Sequence, residues 1–236
     1  MPLRSRKRGS HFEIQVQDVV LRIHAAEEMY EEARAAGLAF AEQVQSYGIR
    51  DPAFRTSRRP VEVPGDAPAL VRRIAELAGR AGVGPMFAVQ GALTEHVGRA
   101  VGGERGEVVV SSGGSTYVVT GRRSRLVVHP GRAMADGTAG TPIAVVVKPE
   151  LGPQGIFTTY GRPRLPVETD GAVAVVAESC ILADAAGAGA LMLLDAKGAA
   201  GFRAALEYLR RIPGVHGGIV LRGSGIGFAG ALEIAA

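Results

Sequence analysis

The chain has 236 residues, a formal net charge of +4, 47% hydrophobic and 21% charged residues, which suits one large or two small globular domains with a sizeable core. No apolar run approaches the ~18 residues a membrane-spanning helix needs. With no Trp and 5% aromatics, the composition argues against a stacking surface for nucleic acid.

The first segment, "RSRKRG", reads as a basic arm (residues 1–10), and residues 11–236 as a single domain, with a division into sub-lobes 11–105 and 106–236 left open. "HFEIQVQD" carries no secretory h-region, and Cys180 stands alone, so a reducing cytoplasm is expected. "FEIQV" and "VVLRI" alternate as half-buried strands. Helical spacing runs from Ala25 to Tyr47, with Met29, Ala33, Ala36, Phe40, Val44 and Tyr47 on one face. "RDPAFRTSRRPVEVPGDAP" reads as a long connector because its prolines disfavour helix.

Asp66 is the expected cap of the next helix, whose core face is Leu70, Ile74, Leu77 and Ala81. A further helix is expected from about Met86 to Val101, with Met86, Val89, Leu93, Val97 and Ala100 inward. Strands "EVVVSS", "STYVV", "RLVVH" and "TPIAVVV" follow, then a loop-rich insertion from Pro149 to Gly171. "AVAVVA" is a strand, "SCILADAAGAGALMLLD" a helix of small residues and "FRAALEYLRRI" an amphipathic one. The end reads as a glycine-rich hairpin. Strict βαβ alternation is missing, so the fold class is α+β.

Four stretches carry chemistry or imitate it. "GIGFAG" at Gly225–Gly230 satisfies G-x-G-x-x-G, but the chain ends before a pyrophosphate-facing helix could follow, so it is a hairpin. The five histidines show no metal-ligand spacing. "VVVSSGGSTYVV" is open between a plain turn at Gly113-Gly114 and a backbone cradle for a ligand. "ADAAGAGAL" sets Asp184 near a helix start, where a carboxylate is favoured, amid residues small enough to admit a second backbone, a second copy of the chain or a flat ligand. Thr158, Thr159, Tyr160, Arg162 and Arg164 could together hold a phosphate or form a solvated loop.

Taken in order, "AGVGPMFAVQGALTEHVGRAV", "VVVSSGGSTYVV", "GIFTTYG", "AVAVVAESCILADAAGAGAL" and the C-terminal hairpin resemble the small cytoplasmic branch of the ApbE-like superfamily, whose best-known members are FAD:protein FMN transferases. The resemblance implies a T-fold-like α+β architecture with mixed or antiparallel sheets packed with helices. It implies FAD or FMN as ligand, Gln90, Gly91, Gly113, Gly114 and Ser115 along the flavin cleft, and Asp184 at a Mg²⁺ site. It also implies departures. Gln90 stands near the transferases' lysine, Ser115 where an acid or amide is usual, and Ala188 where a threonine would give the metal an oxygen.

Three readings follow. The first is a non-transferase that binds a flavin, pterin or other phosphorylated small molecule, near tetrahydromethanopterin-type one-carbon metabolism by association with the branch's hosts. The second is a Mg²⁺-dependent flavin or nucleotidyl transferase. The third is a structural or assembly protein, with a homodimer packed through the Ala186–Ala190 helix.

Overall fold

The computed structural model describes residues 9–102, 106–128, 143–159, 171–196 and 200–235. Two strands open the chain, β1 (Ser10–Val16) and β2 (Val19–Ala25), paired as a hairpin. Helix α1 (Tyr30–Arg50) follows. Its buried face includes Ala33, Phe40, Val44 and Tyr47 as the spacing predicts, but Ala25 belongs to β2 and the helix starts five residues later. The connector contains a short helix, α2 (Pro52–Thr56). Pro52 sits at its first turn, where a missing N–H costs nothing, and Asp51 Oδ1 accepts from the Ala53 and Phe54 amides at 3.1 and 3.3 Å.

Helix α3 (Ala69–Arg80) is preceded by Pro68 with no side-chain cap, so Asp66 does not play that part. A 3₁₀ turn at Pro85–Ala88 leads into α4 (Val89–Gly102). The turn rotates the chain, which is why Met86 is exposed rather than inward; Ala100 is exposed as well, in the last turn of α4.

The remaining strands are β3 (Val108–Ser112), β4 (Ser115–Val119), β5 (Ser124–Val128), β6 (Ile143–Val147), β7 (Gln154–Thr158), β8 (Gly171–Ala177), β9 (Val215–Arg222), β10 (Gly225–Gly230) and β11 (Ile234–Ala235). Helices α5 (Cys180–Ala196) and α6 (Gly201–Arg211) lie between β8 and β9. The expected insertion thus holds β7, a central strand. Its residues Gln154–Phe157 are all buried, so the polar/apolar alternation that marks a half-exposed strand is lost.

Eight strands form one antiparallel sheet in the order β1-β2-β3-β4-β7-β8-β9-β10, and β11-β6-β5 form a second. The fold is α+β, as the mixed pattern implies. One face of the large sheet, through Tyr117, Phe157, Val173 and Val175, packs on the helices. Val118, Ile156, Ala174 and Val176 point the other way, against Val145 and Val147 of the small sheet. A strand covered on both faces reads as a continuous apolar run, which explains "AVAVVA" in β8. "GIGFAG" is β10, hairpinned to β9 with Gly223 at φ +55 in the two-residue loop.

Candidate functional site

The Gly113-Gly114 stretch is a two-residue hairpin loop between β3 and β4, closed by the Ser112–Ser115 pair. Gly113 takes φ +53, a left-handed conformation that non-glycine residues adopt at a cost of roughly 1–2 kcal/mol. The turn is tied down from two sides. Gln90 Nε2, from α4, donates to the Ser112 carbonyl at 2.8 Å. The Thr158 amide, at the end of β7, donates to the Gly114 carbonyl at 2.7 Å.

Directly behind the turn lies Asp184, 1% exposed. Ser115 Oγ donates to its Oδ2 at 2.7 Å, and the Gly91 amide of α4 also donates toward the carboxyl group. Burial pushes the Asp184 carboxyl up to about 8; the Ser115 and Gly91 donors pull the other way, toward the charged form, without offsetting it. Oδ1, although buried, has no hydrogen-bond partner among the described residues. Asp184 is not the helix cap that the sequence suggests. It lies in the second turn of α5, and the cap is Ser179, whose Oγ accepts from the Ile181 amide at 3.2 Å.

Small residues let these parts meet. A Cβ on Gly91 would stand 2.3 Å from the Cys180 carbonyl oxygen and 2.7 Å from Asp184 Cγ. Gly187 admits the Phe157 ring and Gly189 the Tyr208 hydroxyl in the same way. The Ala/Gly stripe of α5 is therefore used inside this chain, by its own strands and helices, and offers no open face to a second copy.

The fold gathers Gln90, Gly91, Gly113, Gly114, Ser115, Thr158 and Asp184 around one turn. Thr159 points elsewhere: its Oγ1 accepts from the Val173 amide at 3.3 Å, on the neighbouring strand. Tyr160, Arg162 and Arg164 lie outside the described residues, as does most of the basic arm. The lone cysteine is inert by position. Cys180 is fully buried and its thiol is raised well above the ordinary range by desolvation.

One buried charge escaped sequence reasoning. Glu95 on α4 is 2% exposed. Its Oε2 accepts from Ser179 Oγ at 2.6 Å and from the Cys180 amide at 2.9 Å. Its Oε1 meets Arg99 at 2.9 Å and Arg73 at 3.3 Å. The only local signal is the Glu95–Arg99 spacing, which reads equally well as an exposed helix-surface pair.

A protein-held Mg²⁺ fits this donor set poorly. Mg²⁺ needs hard oxygens in near-octahedral arrangement. Here a single carboxyl faces the turn, one of its oxygens is engaged by Ser115, and Ala188, one turn on, brings no oxygen. Among the described residues no three His, Cys, Asp or Glu side chains come together as a metal cluster.

A family model described as AbpE bacteria matches residues 3–197. The chain belongs to this family. Relatives of this AbpE-type chain include UPF0280 proteins of Methanopyrus kandleri, 31% identical with 92% of this chain and 88% of the relative covered, and of Methanosarcina barkeri, 28% identical with 90% and 80% covered. Its fold is shared with the flavin transferase ApbE from Vibrio cholerae, at a TM-score of 0.57 and 13% identity over 97% of both chains. It is shared equally with the Pseudomonas stutzeri flavinyl transferase ApbE in its apo form, at a TM-score of 0.57, 13% identity and 94% of both chains. No helix among the described residues of this AbpE-family chain is long and apolar enough to cross a membrane.

Proposed function

We propose that this protein binds a flavin nucleotide, or a phosphorylated small molecule of similar shape, against the β3–β4 turn, and that it does not transfer FMN. The observation that carries the reading is the sealed Asp184. A carboxyl pushed to about 8 is mostly protonated at neutral pH, so it backs the turn as a neutral group rather than as an anchor for a cation. Gln90, at the position where the transferases carry a lysine, spends its amide on holding the turn and brings no charge to a phosphate. What the site offers is shape and backbone: a glycine turn fixed at both ends, with Thr158 beside it.

The ApbE fold supports a flavin as the first ligand to try. The hosts of its relatives, Methanopyrus kandleri and Methanosarcina barkeri among them, support a place next to tetrahydromethanopterin-type one-carbon chemistry, so pterins belong in the same screen. A thermal-shift series with FAD, FMN, pterins and nucleotides tests the reading. A ligand at about 100 times its Kd adds about 2.7 kcal/mol to stability; no shift with any of them refutes the proposal.

The unpartnered Asp184 Oδ1 favours a second reading, a working Mg²⁺-dependent transferase in which the metal or its water meets that oxygen.

A further inference from the structure

Glu95 lies one turn after Gly91 on α4, and Cys180 one turn before Asp184 on α5, so the two helices are linked by two successive rungs. In the first, the absence of a Cβ at Gly91 lets α4 approach the Cys180 carbonyl and the Asp184 carboxyl. In the second, Glu95 accepts from Ser179 Oγ and the Cys180 amide. The second rung is a helix cap delivered from a neighbouring helix. Carboxylates are stabilised at helix N-termini by the unpaired amides there. Here the carboxylate's other oxygen is met by Arg73 and Arg99, which are half exposed and carry the charge pair out to the surface.

We infer that Glu95 is a positioning residue for the Asp184 site: by clamping the first turn of α5 onto α4, it sets the height at which Asp184 meets the Gly91 amide and Ser115 Oγ. The inference rests on the functional reading of that site. The close approach at Gly91 leaves little room for a compensating tilt, since a Cβ there would meet the Cys180 backbone carbonyl and the Asp184 carboxyl carbon. Loss of the clamp therefore moves Asp184 relative to the β3–β4 turn as well as loosening the helix end.

The test uses the full chain and three variants, Glu95→Gln, Glu95→Ala and Gly113→Ala, with FAD as the binding probe. NMR of the Gly91 amide and the Asp184 carboxyl carbon gives a second readout that needs no ligand. Hydrogen-bond partners that orient the ligands of a metal site are worth about 10- to 100-fold in metal affinity, and an effect of that order is taken for a residue that orients the group backing this turn. Glu95→Ala is expected to weaken FAD binding at least about tenfold and to move both resonances. Glu95→Gln, which still accepts from Ser179 and Cys180, is expected to recover most of the loss. A folded Glu95→Ala variant with a lower melting temperature but unmoved resonances and unchanged FAD affinity refutes the inference and leaves only a structural cap. If Gly113→Ala, at the turn itself, leaves FAD binding intact, the functional reading fails instead, while the resonances still decide the role of Glu95. Should Glu95→Ala not fold, Ser179→Ala removes one donor of the same clamp and is read by the same two resonances, with the same outcomes.

Discussion

Asp184→Asn changes the pH dependence of stability in a way that can be worked out from the site. The carboxyl is fully buried and its pKa is raised from an ordinary 3.8 to about 8. The folded state therefore holds the proton more tightly than the unfolded state does. This contribution to stability is complete below about pH 4 and is lost as pH rises toward about 8. Within the window, the wild-type protein loses about 1.4 kcal/mol per pH unit from this one group. Between about pH 5.5 and 7.5 the loss is about 2–3 kcal/mol. For a domain of this size that corresponds to roughly 5–10 °C in Tm.

Asparagine keeps the shape and an acceptor for Ser115 but does not titrate. Chemical unfolding of both proteins across this range gives the difference between their slopes, in which all other titrating groups cancel. The wild type should fall relative to Asp184→Asn as pH rises. Parallel slopes would refute the claim that Asp184 is held protonated behind the turn.

Gly91→Ala should destabilise the fold by about 1–3 kcal/mol or more, since the new Cβ meets the Cys180 carbonyl at 2.3 Å and overpacks a helix contact; Gly65→Ala, with nothing within 4 Å, is the matched control in denaturant unfolding. Gly113→Ala and Gly223→Ala replace glycines at φ +53 and +55, so each should cost roughly 1–2 kcal/mol, but only Gly113→Ala should weaken FAD binding by titration calorimetry. Gln90→Ala removes the donor to the Ser112 carbonyl. It should cost about 1 kcal/mol and speed amide hydrogen exchange at Gly114 and Ser115, with little change at the β9–β10 hairpin.

Much of the fold was legible because strands and helices with one solvent face carry a period. α1, α3 and α6 show it, and so do β1 and β2. Legibility failed where both faces are covered or where the signal is not local. The buried β7 has no alternation, α2 sits among prolines that fit its first turn, and Asp66 has a capping residue's chemistry without a helix end to cap.

In the site, the resemblance picked out Gln90, Gly91, Gly113, Gly114, Ser115 and Asp184, the hydroxyl-rich loop picked out Thr158, and the fold brings these together. Thr159 has the same side-chain chemistry as Thr158, but its hydroxyl faces β8. Glu95 was invisible because its partners, Ser179 and the Cys180 amide, are more than eighty positions away. The small residues of α5 read as a tightly packed helix or as room for a flat ligand or second copy, because sequence cannot say that Phe157 and Tyr208 fill it.

Native mass spectrometry of the protein mixed with FAD, Mg²⁺ and a threonine-containing acceptor peptide tests binding without transfer most directly. The expected spectrum shows a noncovalent protein–FAD complex and an unmodified peptide. A peptide carrying the mass of FMN, or the absence of any complex, would contradict the account.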